Sequence, residues 1–136
     1  MLKRLAPATV SSVPPRYAGI FCHGTVAEKP TRTVFLSGQI GVAPDGKTCV
    51  CFEAQAEQAM NNVEALLTEA DMSTQDIARV VYYVTDPAHL KPLSDLRQKR
   101  WNSSTAPAVT TLVVAALAAP DLLVEIEVTA CHTSNS

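Results

Sequence analysis

The stretch at residues 107–130, PAVTTLVVAALAAPDLLVEIEVTA, constrains the fold most, because two runs rich in β-branched residues flank a break at Pro120. If residues 118–121 turn, the second run returns antiparallel to the first, and the strand period of two assigns each side chain to a face. Thr110, Leu112, Val114 and Ala116 then join Val124, Ile126 and Val128 on an apolar face suited to a core beneath helices. The opposite face carries Val109, Thr111, Val113 and Ala115 beside Leu123, Glu125, Glu127 and Thr129, which stands carboxylates among apolar neighbours. Such a face suits neither a core nor a wet surface. It predicts a subunit interface lined with a small-molecule cleft.

The remaining elements read off in order. Residues 1–13 suggest an irregular or edge-strand segment, and Pro14 and Pro15 force an extended approach to Arg16 and Tyr17. IFCHGTVAE and TVFLSGQIGV read as a β-hairpin whose turn is residues 29–32, and Pro44, Asp45 and Gly46 make a further turn. From Phe52 the period lengthens to 3.6: Phe52, Ala56, Ala59, Met60, Val63, Leu66, Leu67 and Ala70 share one side of a helix, with Gln55 among the polar residues of the other. IARVVYYVTD is apolar on both faces and predicts a central strand. A second helix starts near His89, since Pro92 is tolerated only in a first turn, and turns Leu90, Leu93, Leu96 or Arg97, and Trp101 to one side. The order is strand, strand, helix, strand, helix, strand, strand. One α+β domain follows, spanning residues 1–136 with its core at about 17–130, in which a mixed sheet of about six strands carries both helices on one face. The uncovered face predicts a closed ring of identical subunits.

Composition narrows the function classes. A formal charge of −2 without a basic cluster argues against nucleic acid as a ligand, and 18% charged residues is lean enough to predict surface covered by a partner. No run is long enough for a transmembrane helix and the N-terminus lacks the unbroken apolar segment of a secretory signal, so no membrane association and a cytoplasmic location are expected; Lys3 and Arg4 without an acidic residue leave an organellar transit segment as the alternative. Cys22, Cys49, Cys51 and Cys131 show no CxxC spacing and read as free thiols rather than metal ligands. Cys22 and His23 are adjacent strand residues pointing to opposite faces, which argues against a thiolate–imidazole dyad.

The segments FLSGQIGVAPDGK, QAEQAMNNVEALLTEADMS, VVYYVTD, PAVT and LVEIEVTA, in that order from about Tyr17 to Ala130, resemble the Rid family, also called the YjgF or endoribonuclease L-PSP family. The resemblance implies a chorismate-mutase-like fold, homotrimers with clefts between subunits, no cofactor and no metal, and hydrolysis of 2-aminoacrylate and related enamines or imines to 2-keto acids and ammonia. It also implies site roles. Glu125 matches the carboxylate that positions or activates water, Tyr17, Ser37 and Gly38 match cleft residues, Thr111 stands where many members have a cysteine whose carbonyl helps hold that water, and Ser94 replaces a common asparagine. Val109 departs from the pattern. The deaminases carry there an arginine that grips the substrate carboxylate through a two-pronged hydrogen bond, which valine cannot make.

Three readings follow: an enzyme of the same reaction class with a substrate other than 2-aminoacrylate, a non-catalytic trimeric metabolite-binding or protein-interaction module, or an endoribonuclease and translation inhibitor. The last lacks the basic and aromatic patches that RNA binding needs. Glu125 and Tyr17 also have purely structural readings, as a seam carboxylate and a cleft wall, and Glu127 is read as structural. Arg16, Arg97 and Arg100 are the candidates to replace the missing positive charge.

Overall fold

The computed structural model describes residues 2–133. Its elements are β1 (Lys3–Arg4), β2 (Thr25–Val26), β3 (Pro30–Phe35), β4 (Gln39–Ile40), α1 (Phe52–Glu69), β5 (Ile77–Val84), α2 (Leu90–Arg100), β6 (Ala108–Val113) and β7 (Val124–Thr133). Strands β3, β7, β5 and β6 lie side by side in that order with β4 also paired to β7, forming one five-stranded sheet, while β1 and β2 make a separate two-stranded ribbon. β7 runs antiparallel to β3, β4 and β5, and β5 runs parallel to β6. A parallel neighbour requires a crossover, which α2 provides between β5 and β6.

Both helices pack on one face. Phe52, Ala56, Ala59, Met60, Val63 and Leu67 of α1 and Leu93 of α2 are buried in one cluster with Val80, Tyr82, Val84, Val124, Ile126 and Val128 of the sheet. Burial of each large apolar side chain stabilises the fold by about 1.5–3 kcal/mol. Pro92 sits in the first turn of α2, where its missing N–H costs nothing, and β5 occupies the interior of the sheet as its doubly apolar sequence requires. The expected α+β architecture therefore holds. Among the described residues no helix is long and apolar enough to cross a membrane.

Several local expectations fail. The two runs at residues 107–130 do not pair: β5 lies between β6 and β7, and the break holds only a local turn in which Leu122 N–H donates to the Ala119 carbonyl at 3.2 Å. The assignment of faces shifts with it. Val80 opposes both Val109 and Val128, and Tyr82 opposes both Thr111 and Ile126, so Val109, Thr111 and Val113 lie on the helix-covered face. Thr110 and Leu112 are the β6 residues that share the open face with Glu125 and Glu127, through Val81 and Tyr83. The expected hairpin around residues 29–32 is also absent, because β2 pairs with β1 whereas β3 pairs with β7; Lys29, at a φ of 46°, redirects the chain between them. Pro15 opens a short 3-10 turn, Pro15–Tyr17, rather than extending the approach, because proline is well placed at a first helical position.

Candidate functional site

The candidate residues fall into two groups on opposite faces of the sheet. The first lies on the open face. Glu125 of β7 is half-buried between Ile40 of β4 and Tyr83 of β5, and its carboxylate lies against Gly38 so closely that a side chain there would collide with it. Glycine at this position is what lets the backbone of the Ser37–Gly38 segment approach the carboxylate. Ser37 is exposed beside it, its carbonyl accepting from Gln39 Nε2 at 3.0 Å. Among the described residues no hydrogen bond or ion pair forms to the Glu125 carboxylate. Glu127, two residues on, accepts the Tyr83 hydroxyl at 2.7 Å, and that bond is the main reason the Tyr83 phenol is pushed above its ordinary range. Glu127 is committed to Tyr83; Glu125 remains available.

The second group lines a cavity of about 280 Å³ on the helix side of edge strand β6, walled by Tyr17, Ile20, Phe21, Leu90, Leu93, Ser94, Arg97, Val109 and Thr111. Local hydrogen bonds explain this convergence. Cys22 N–H donates to the Pro107 carbonyl at 2.9 Å and Cys22 bridges Ala108 in parallel, which holds the turn at residues 15–21 along the outer edge of β6. Ser103 N–H donates to the Gly19 carbonyl at 2.7 Å, and Gly19 lies so close to the Asn102 side chain that a Cβ would clash. Ser94 and Arg97, three residues apart on α2, face the cavity together. Tyr17, Ser94, Val109 and Thr111 are thus brought together as the resemblance implies, but Glu125, Gly38 and Ser37 are not among them.

Of the three candidate arginines for the absent charge, Arg100 pairs with Glu64 on α1 at 3.0 Å, and Arg16 stacks over the Tyr17 ring at the surface, 4.8 Å from its centroid. Arg97 alone lines the cavity, and it is buried, with 7% of its surface exposed. The walls Ile20, Phe21 and Leu90 had no signal of their own, because IFCH reads as strand and Leu90 as an ordinary core position. Cys22 and His23 point apart: the thiol donates to the Gly24 carbonyl at 3.3 Å, and His23 Nε2 meets the Ser11 carbonyl at 2.5 Å.

Comparison with known proteins agrees with this geometry. The family described as Endoribonuclease L-PSP matches residues 15–132. A RutC family protein of Aquifex aeolicus is 36% identical over 99 residues, covering 71% of this chain and 78% of that protein, and Protein HMF1 of Saccharomyces cerevisiae is 31% identical over 118 residues, covering 86% and 88%. The crystal structure of the Rid-family protein YyfB from Yersinia pestis superposes with a TM-score of 0.82 at 28% identity, over 96% of this chain and 98% of that one. RidA from an Antarctic Psychrobacter superposes with a TM-score of 0.70 at 29% identity, over 84% and 94%. With its sequence, its sheet order and its paired helices all in agreement, the chain belongs to the endoribonuclease L-PSP, or Rid/YjgF, family.

Proposed function

We propose that the protein hydrolyses the carbon–nitrogen bond of a small enamine or imine other than 2-aminoacrylate, in clefts formed between the subunits of a homotrimer. The observation that supports this most is the division of the candidate residues between the faces of one sheet. Within a chain, Glu125 and the cavity at Val109 are separated by the sheet itself, whereas a second copy docked on the open face can set its own cavity edge against Glu125. Family membership and the apolar character of that face point the same way.

In the reaction, an enamine first takes a proton on carbon to become the iminium, and an imine reaches the same state by taking one on nitrogen. Glu125 accepts a proton from water as the oxygen adds to the imine carbon, giving a carbinolamine. The proton returns to nitrogen, Glu125 takes the hydroxyl proton as the C–N bond breaks, and ammonia leaves with a carbonyl product. Water is consumed and no redox partner is needed. Tyr17 and Ser94 supply hydroxyls that orient the nitrogen, the Thr111 backbone carbonyl helps hold the water, Ser37 and Gly38 bound the space around Glu125, and Val109 meets an apolar part of the substrate.

Ammonia release from a panel of imines generated in place from different amino acids tests the proposal. At least one is turned over, at a rate that falls about 10²- to 10⁴-fold in Glu125→Gln. Absence of turnover across the panel with retained metabolite binding would assign the protein to the non-catalytic binding reading instead.

A further inference from the structure

Arg97 stands out as a buried cation without an anion. It is 7% exposed, its Nη2 donates to the Ile20 carbonyl at 3.2 Å, and its Nε is buried with no hydrogen-bond partner. No ion pair reaches it among the described residues. The guanidinium lies over the Tyr82 ring, 4.5 Å from the centroid, and the Tyr82 phenol is no counterion, since burial pushes it up to about 12 despite the nearby positive charge. A buried charge held by a carbonyl, an aromatic face and a neutral phenol is costly unless an anion completes it. This guanidinium meets the same cavity that Val109 lines, with Ser94 one helical turn earlier on α2.

We infer that Arg97 is the anion-binding residue of this cavity and that its ligand is a small molecule carrying a carboxylate, gripped from α2, with an apolar body against Val109, Phe21 and Leu90. The inference rests on the proposed cleft for its location but not on any turnover. Arginine's planar fork suits a carboxylate, and the unpartnered Nε is one of its donors. Because the charge enters from the helix rather than from β6, the ligand is oriented differently from one held by an arginine at position 109, which fits a substrate other than 2-aminoacrylate.

The test uses the full-length protein labelled with 15N-arginine, with butyrate and its neutral isostere butyramide as probes. Butyrate shifts the Arg97 Nε–H resonance, assigned by its loss in Arg97→Met, and butyramide does not. Butyrate affinity falls about tenfold or more in Arg97→Met, while Arg97→Lys retains part of it. An Arg97 resonance in the unmodified protein that ignores butyrate would overturn the inference, and because this readout needs no variant it stands even if Arg97→Met fails to fold. A resonance that moves in Glu125→Gln but not with butyrate would overturn it too, by giving the counter-charge to a second copy. Butyrate binding through Arg97 in a protein that hydrolyses no imine would uphold this inference and contradict only the hydrolytic reading.

Discussion

Tyr82 shows how one buried residue sets a limit on stability. Its phenol is 2% exposed and pushed up to about 12 by burial, so the unfolded chain releases this proton first as pH rises. The contribution is therefore fully present below pH 10 and is lost as pH climbs towards about 12, amounting to roughly 2–3 kcal/mol at about 1.4 kcal/mol for each pH unit. Chemical denaturation between pH 9 and 11.5 should show a steeper loss in the unmodified protein than in Tyr82→Phe; parallel profiles would mean that Tyr82 does not govern the alkaline limb. Glu125 and Glu127 look alike in the sequence, and their different tasks became visible only through Tyr83, whose hydroxyl claims Glu127. Glu127→Gln should accordingly change imine turnover by less than about threefold, far below the general-base loss expected of Glu125→Gln. Comparable losses in steady-state assays would erase that distinction.

At the scale of elements, α1 illustrates both what the sequence reveals and what it conceals. Its period of 3.6 located the helix and its buried stripe, yet Gln55, placed on the polar side, is 1% exposed. It donates to the Cys49 and Asp121 carbonyls at 3.0 and 2.9 Å and accepts Leu123 N–H at 2.8 Å, fastening the helix start to the loop before β7. A polar side chain buried by loops far away in sequence leaves no periodic signature. Gln55→Ala strands those backbone groups and opens a cavity, and should cost about 2–4 kcal/mol in urea denaturation; a cost below about 1 kcal/mol would show that water replaces the amide. The faces of β6 were misread for a related reason. Alternation fixes which residues within a strand belong together, but the parity between two strands depends on pairing, and here the shared partner β5 comes from a distant part of the chain. The central position of β5 and the start of α2 near His89, marked by Pro92 in its first turn, were legible because local chemistry alone determines them.

For the whole molecule, the sheet face opposite the helices is the open question that the fold poses. Phe35 is 79% exposed and Leu112 44% exposed, and Glu125 stands on the same face. That this face is semi-apolar could be read from the sequence even though the wrong β6 residues were assigned to it. The candidate residues themselves were legible by resemblance, but their separation by the sheet was not, since it follows from topology. Light scattering at micromolar concentration should give three times the chain mass, and a monomer would remove the inter-subunit cleft altogether. The most direct test of the central claim is subunit mixing. Glu125→Gln and Tyr17→Ala, each inactive alone on an imine that the unmodified protein hydrolyses, are unfolded together in equal amounts and refolded. If each cleft takes Glu125 from one chain and Tyr17 from its neighbour, random assembly leaves roughly a quarter of the clefts intact, and roughly a quarter of the unmodified activity returns. A mixture as inactive as its two components would contradict the account, since it would place Glu125 and Tyr17 in a site belonging to a single chain.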